Sequence, residues 1–104
     1  MTKAIDVSHD INNPKILEWR SDEARELKRK FSSLIINKSK KLFVRLNPVK
    51  YAIENNDTYF IKFLYDDEHD LYLHAKITVR PKSDPVCHYV KDGFGYNDPF
   101  TNDV

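Results

Sequence analysis

The sequence contains very few of the residues that build covalent cross-links or special backbone turns. It has one cysteine and two glycines among 104 residues. A single thiol excludes an intrachain disulfide, so the fold must be stabilised by packing. Neither glycine belongs to a glycine-rich phosphate-binding loop, and no motif for a catalytic nucleophile is present. We therefore expect no cofactor.

Long apolar runs and a strong net charge are also missing. The formal net charge is +1, which attracts neither nucleic acid nor acidic lipid. No stretch approaches the roughly 20 apolar residues of a membrane-spanning helix, and the first residues lack the apolar region of a signal peptide. The sequence therefore predicts a cytoplasmic protein that binds neither nucleic acid nor membrane.

The sequence does have enough apolar material for one hydrophobic core. Hydrophobic residues make up 40% of the chain and aromatic residues 12%. A chain of this length supports one core and not two. We expect a single domain over residues 1–104.

The clearest pattern in the chain is a strict alternation over residues 71–79. Apolar side chains fall on one face of this segment, and polar ones, including His74, fall on the other. The segment 59–65, rich in aromatic and β-branched residues, precedes it, and the polar run 66–70 separates the two. The pattern predicts an antiparallel hairpin in which 71–79 is a central strand and His74 faces solvent.

Another hairpin is expected immediately before this one, and it is the earlier of the two along the chain. Residues 50–53 lead into Glu54, Asn55, Asn56 and Asp57. Asparagine tolerates positive φ better than other residues with a side chain, so the two adjacent asparagines can form a tight turn.

Helical periodicity predicts one amphipathic helix within residues 14–37. The apolar positions at this spacing are Leu17, Ala24, Leu27, Phe31, Leu34 and Ile35. Two starts are open: Asn13 followed by Pro14, or Ser21 before two acidic residues. The predicted fold class is α+β, with this helix packed on a four-stranded antiparallel sheet.

The remaining segments complete that sheet. Residues 42–46 are predicted to form its first strand, which Asn47 and Pro48 interrupt with a bulge or bend. Residues 80–85 are a turn rich in proline, and residues 86–90 a last short strand. Residues 1–13 are expected to be a loose N-terminal arm and residues 91–104 an irregular C-terminal tail.

Three groups of residues suggest chemistry, and each has a simpler explanation. Cys87 and His88 are adjacent, but neighbouring strand residues point to opposite faces and cannot form a catalytic pair. The acidic run 66–70 lacks the spacing of a calcium loop, and a hairpin turn explains it. The basic residues in 28–30 and 38–41 are interleaved with acids, as on a solvated helix face. The sequence therefore predicts no catalytic residue and no metal site.

Local sequence resembles the stefins, the intracellular type 1 cystatins that inhibit papain-like cysteine proteases. Residues 50–63 are similar to the first hairpin of that family, where a Gln-x-Val-x-Gly loop lies between a Lys-Tyr lead and a Tyr-Tyr-(Ile/Leu)-Lys-Val strand. Residues 73–77 resemble its next strand, and residues 81–85 fall at its second hairpin. Tyr89 precedes an irregular acidic tail, and Pro14 lies where the stefin helix begins.

The resemblance implies a reversible inhibitor whose partner is a papain-like cysteine protease. In this family the N-terminal arm and two hairpin loops form a wedge that fills the active-site cleft without making a covalent bond. The first hairpin would contribute Ala52, Ile53, Glu54, Asn55 and Asn56. The second hairpin would contribute Pro81, Lys82, Ser83, Asp84 and Pro85. The resemblance also implies a monomer that can exchange hairpins to form a domain-swapped dimer.

The first loop diverges from the family at three positions. Ala52, Glu54 and Asn56 stand where stefins carry Gln, Val and Gly. A second hypothesis is therefore a non-inhibitory protein-binding module that retains the cystatin fold and uses these loops for another partner. A third hypothesis, a small-molecule pocket or an enzyme, would require a deep cavity that so short a chain can hardly enclose, and we expect no enzyme.

Overall fold

A computed structural model describes residues 10–18 and 20–101 as one helix packed on an antiparallel sheet. The elements are β1 (Lys15–Ile16), α1 (Asp22–Ser39), β2 (Asn47–Glu54), β3 (Thr58–Asp66), β4 (Leu71–Thr78) and β5 (Val86–Phe94). The strands follow one another in the sheet in the order β1-β2-β3-β4-β5. The α+β class is confirmed, but the sheet has five strands where four were predicted.

The helix begins at the second of its two predicted starts. Ser21 is the N-cap, and its hydroxyl accepts a hydrogen bond from the Ala24 N–H at 3.1 Å. Asp22 and Glu23 in the first turn complement the positive end of the helix dipole. Pro14 does not start the helix, because the chain runs from it into the edge strand β1.

The main core lies between α1 and one face of the sheet. The helix buries Ala24, Leu27, Phe31 and Ile35, which recur at three- and four-residue spacing. From the sheet, Ile61, Phe63, Leu73, Ala75 and Ile77 are buried against them. The alternation in β4 therefore specified the core face correctly.

The two hairpins predicted from the alternating segments are present, as β2–β3 and β3–β4. Glu54 pairs with Thr58 across the first turn, where Asn55 and Asn56 have φ values of 57° and 63°. Two consecutive positive φ angles are the signature of a type I′ turn, whose twist matches that of antiparallel strands. The expected irregularity at Pro48 is also confirmed, since the register of β2 against β3 shifts between Pro48 and Lys50.

Residues 42–46 do not form the predicted first strand. They precede β2 without pairing, and Leu42 and Val44 are 84% and 102% exposed. Phe43 alone of the three apolar side chains at 42–44 turns inward, with its ring 5.3 Å from that of Tyr65. The edge of β2 is occupied instead by β1, where Lys15 pairs with Tyr51.

The last strand is longer than predicted, and the tail that follows it covers the sheet. β5 continues to Phe94, so the irregular tail begins after the predicted residue 91. Phe100 is buried against Phe60 on the sheet face opposite the helix, in a cluster that also includes Ala52. The described part of the tail thus forms a third layer.

His74 lies under this third layer, so the prediction that it faces solvent is wrong. Its side chain is 2% exposed and stacks on the ring of Phe94 at 3.9 Å. The polar face of β4 is buried because residues distant in sequence fold over it. No helix in the part of the chain that the structure describes is long and apolar enough to cross a membrane.

Candidate functional site

Of the five candidate residues of the first hairpin, two are exposed, two are half-buried and one is fully buried. Asn55 and Asn56 are exposed at the turn, and Glu54 is half-buried beside them. Ala52 is fully buried in the cluster with Phe60 and Phe100. Ile53 packs against the main core. A partner at this end of the sheet would meet Glu54, Asn55 and Asn56.

The second hairpin forms an exposed turn of defined shape. The Ser83 N–H donates to the Arg80 carbonyl at 3.3 Å. Pro81 occupies the second position of this turn, and Lys82 the third with a φ of 64°, which is the pattern of a type II turn. Residues 81–84 are exposed and Pro85 is half-buried.

Asp57 joins the two hairpins at one end of the sheet. Its carbonyl accepts a hydrogen bond from the Val79 N–H at 2.8 Å. Its carboxylate Oδ2 lies 3.2 Å from Nε of Arg80, at the start of the second turn. The two loops are therefore held side by side through one residue.

A chain of polar side chains continues this link across the strands below the turns. The hydroxyls of Thr58 and Thr78 lie 3.2 Å apart on neighbouring strands. The Thr78 hydroxyl also lies 2.8 Å from Nε2 of His88, on β5. Hydrogen bonds thus connect β3, β4 and β5, which are three of the four strands that carry the loops, and this limits the movement of one loop relative to the other.

The N-terminal side of β1 points toward the same end. β2 runs into the first turn, and β1 is antiparallel to β2 with Lys15 opposite Tyr51, so the chain enters β1 from the side of the turn. Ile11 packs on the cluster of Ala52, Phe60 and Phe100. The rest of the expected arm, residues 1–9, lies outside the described residues.

The chemistry of this surface is polar. Glu54 and two amide side chains form the first turn, and Lys82 and Asp84 lie in the second. Such groups donate and accept hydrogen bonds, but none is a nucleophile activated by a neighbouring base. The surface can recognise a partner by shape and hydrogen bonding.

The adjacent pair Cys87 and His88 is separated by the sheet, as the alternation predicted. The Cys87 thiol is buried in the main core, where burial raises its pKa to about 11. His88 is exposed on the other face, where it contacts Thr78. A protonated, buried thiol is a poor nucleophile.

The acidic run 66–70 forms the turn between β3 and β4. The Asp66 carboxylate accepts from the backbone N–H of His69 at 3.1 Å and lies 3.0 Å from its Nδ1, and these contacts lower the pKa of Asp66. No group of three or more His, Cys, Asp or Glu residues within 10–18 and 20–101 is arranged to hold a metal ion.

The basic residues on and after the helix pair with acids at the surface. Arg29 contacts Glu26 at 2.6 Å, and Lys41 contacts Asp92 at 2.8 Å. These hydrogen bonds raise the pKa of Arg29 and of Lys41. The pairs lie on solvated surface, as the sequence indicated.

No pattern in the sequence indicated the buried polar cluster that lies under the C-terminal tail. Lys62 is 1% exposed, and its Nζ donates to the carbonyls of Gly95 at 3.0 Å, Asp98 at 2.8 Å and Tyr96. Burial lowers its pKa to about 8, helped by the charge of Lys50. The aromatic residues of the tail were the only signal that it covers the sheet.

Comparison of the chain with protein-family models, with curated proteins and with solved structures found no match in any of the three.

Proposed function

We propose that this protein is a cystatin-like reversible inhibitor of papain-like cysteine proteases. The wedge would consist of the N-terminal arm and the two hairpin turns. The observation that carries this proposal is the link through Asp57, which holds both turns side by side at the end of the sheet. The direction of β1 adds the entry of the arm at that same end.

The architecture supports the proposal. One helix packed on a five-stranded antiparallel sheet is compatible with a cystatin-like fold. Both turns are anchored in paired strands, so little conformational entropy would be lost when they enter a cleft. Inhibition would require no catalytic residue, metal or cofactor, and we propose none.

The polar first turn sets the expected strength of inhibition. Glu54 would bring a carboxylate toward the thiolate of the protease, and desolvation and repulsion would weaken binding by roughly 1 to 3 kcal/mol, or about 5- to 150-fold. Asn56 occupies a positive φ of 63° that glycine adopts without the steric penalty of a Cβ. Ala52 is buried and would influence binding only by supporting the turn.

Titration of a papain-like protease with the full chain tests the proposal. We expect reversible inhibition by the parent protein, and inhibition about 10- to 100-fold stronger for Glu54→Val/Asn56→Gly. Glutamine at position 52 is left out of this variant because it would overpack the cluster around Phe100. The matched control is Glu68→Val, an exposed carboxylate in the turn at the opposite end of the sheet.

Two results would contradict the proposal. If neither the parent nor the double variant inhibits the protease while both remain folded by circular dichroism, the wedge does not exist. If Glu68→Val strengthens inhibition as much as Glu54→Val/Asn56→Gly, the loss of a negative charge acts at long range, and the first turn does not contact the protease.

A second candidate is a non-inhibitory binding module with the same fold. The observation that favours it is the polar first turn, where Glu54, Asn55 and Asn56 are the accessible side chains. Such a surface suits a partner that offers hydrogen-bond donors. Binding of a non-protease protein that Glu54→Gln weakens, together with no protease inhibition, would favour this candidate.

We propose a cytoplasmic monomer in both cases. A free, buried cysteine suits a reducing compartment. A swapped dimer would require residues 54–57 to straighten into one strand, and the type I′ turn opposes this. Size-exclusion chromatography with light scattering tests the monomer.

A further inference from the structure

A cleft lies at the end of the molecule opposite the two hairpin turns. It has a volume of about 330 Å³, which is at the small end of the range for ligand pockets. It opens between the first half of α1 and the beginning of β2, where the register of β2 against β3 shifts. The proposed protease contact uses none of its residues.

The walls of the cleft are largely apolar. Ala24 forms its side along the helix, and the side along the sheet is formed by Leu17, which follows β1, and by Pro48, Val49 and Leu64. The Leu17 N–H donates to the Val49 carbonyl at 2.9 Å, which continues the pairing of β1 with β2 and fixes Leu17 beside Val49. An aliphatic chain would find van der Waals contacts here on both sides.

The polar part of the cleft is cationic. Arg20, Arg25 and Lys28 line it, and none of the described residues lining it is acidic. Arg25 also lies 3.9 Å from Asp22, but both side chains are largely exposed, and an exposed pair of this length is weak. The cleft therefore combines apolar walls with the exposed cationic side chains of Arg25 and Lys28 at its rim.

We propose that this cleft binds an aliphatic carboxylate of medium chain length. The alkyl chain would lie between Ala24, Val49 and Leu64, and the carboxylate would contact Arg25 and Lys28 at the rim. The alkyl chain of such a ligand matches the apolar walls, and its carboxylate matches the cationic rim. A compact anion would leave the apolar walls in contact with water. A long-chain lipid would exceed its volume.

The test is titration of the isotope-labelled full chain with three probes, followed by amide chemical shifts in NMR. Octanoate should shift the amides of Leu17, Ala24 and Val49 in a saturable manner. Butanoate has the same head group on a shorter chain, and each missing methylene should weaken binding about fourfold. 1-Octanol has the same chain without the charge, and we expect it to bind about tenfold more weakly.

Substitutions at the rim separate charge recognition from apolar contact. Arg25→Gln/Lys28→Gln should weaken octanoate about tenfold and leave 1-octanol unchanged. Both side chains are exposed on the helix surface, so the variant should stay folded. For Lys28→Gln alone the matched control is Lys30→Gln, on the same helix but outside the cleft, which should bind octanoate like the parent.

Three results would overturn the proposal. Octanoate that shifts no amide of the cleft at millimolar concentration excludes the site. Equal binding of octanoate and 1-octanol shows that Arg25 and Lys28 do not recognise the carboxylate. If the chemical shifts of the cleft amides depend on protein concentration before any probe is added, a second copy of the chain covers this face.

Discussion

Acidification should destabilise this fold through the buried imidazole of His74. The side chain stacks on Phe94 and packs against Phe100 with ring centroids 4.7 Å apart. Its Nε2 has no hydrogen-bond partner among the residues that the structure describes. Burial lowers the pKa of His74 from 6.5 to about 4, and the nearby charge of Lys62 acts in the same direction while Asp98 opposes it. Protonation of this ring is therefore less favourable in the folded protein than in the unfolded chain.

The sign and size follow from proton linkage. Between pH 6.5 and 4 the unfolded chain binds a proton at His74 and the folded protein does not. The contribution of the neutral ring to the free energy of unfolding is therefore fully present above pH 6.5 and is lost as the pH falls through 4. The loss amounts to about 2 kcal/mol at pH 5 and about 3 kcal/mol at pH 4, relative to pH 8.

Urea unfolding at pH 8 and pH 5, followed by circular dichroism, measures this loss. His74→Phe retains a ring against Phe94 and should lose about 2 kcal/mol less than the parent on going from pH 8 to pH 5. Tyr72→Phe is the control, because it lies on the same strand and leaves the imidazole in place. Equal losses for the parent and His74→Phe would refute the reasoning, as would an NMR titration that places the pKa of His74 near 6.5.

The other predictions concern the tail, the helix start and the thiol. Lys62→Met removes the ammonium that donates to three tail carbonyls, and we expect a loss of about 2 kcal/mol in urea unfolding, with no loss for the exposed Lys82→Met. Ser21→Ala removes the N-cap and should cost about 1 kcal/mol by the same assay. The buried thiol of Cys87 should resist alkylation at pH 8 until urea unfolds the chain, and Cys87→Ser should leave inhibition unchanged.

Local patterns in the sequence were sufficient to predict the helix and both hairpins. The Asn55-Asn56 pair supplies the positive φ angles that a type I′ turn requires, and Ser21 supplies a hydroxyl for the free N–H groups of a helix. These features depend on residues within a few positions of one another. The asparagine pair consequently also specified where the first candidate loop lies.

Interactions between distant residues were not predictable in the same way. β1 has two residues, too few for a period to appear, so its place beside β2 had no signal in the local sequence. The burial of Lys62 and His74 depends on a tail more than 20 residues away along the chain. The link between the two loops through Asp57 likewise joins residues that no local pattern connects.

The central claim is that the two turns joined by Asp57 are the surface that contacts a protease. NMR shift mapping of the isotope-labelled chain with a papain-like protease whose active-site thiol is blocked tests it most directly, because the wedge makes no bond with that thiol. We predict that a complex forms and that the amides of Asn55, Asn56, Lys82 and Ser83 shift or broaden first. Effects confined to the exposed face of α1, or no complex with either the blocked or the free protease, would contradict the claim.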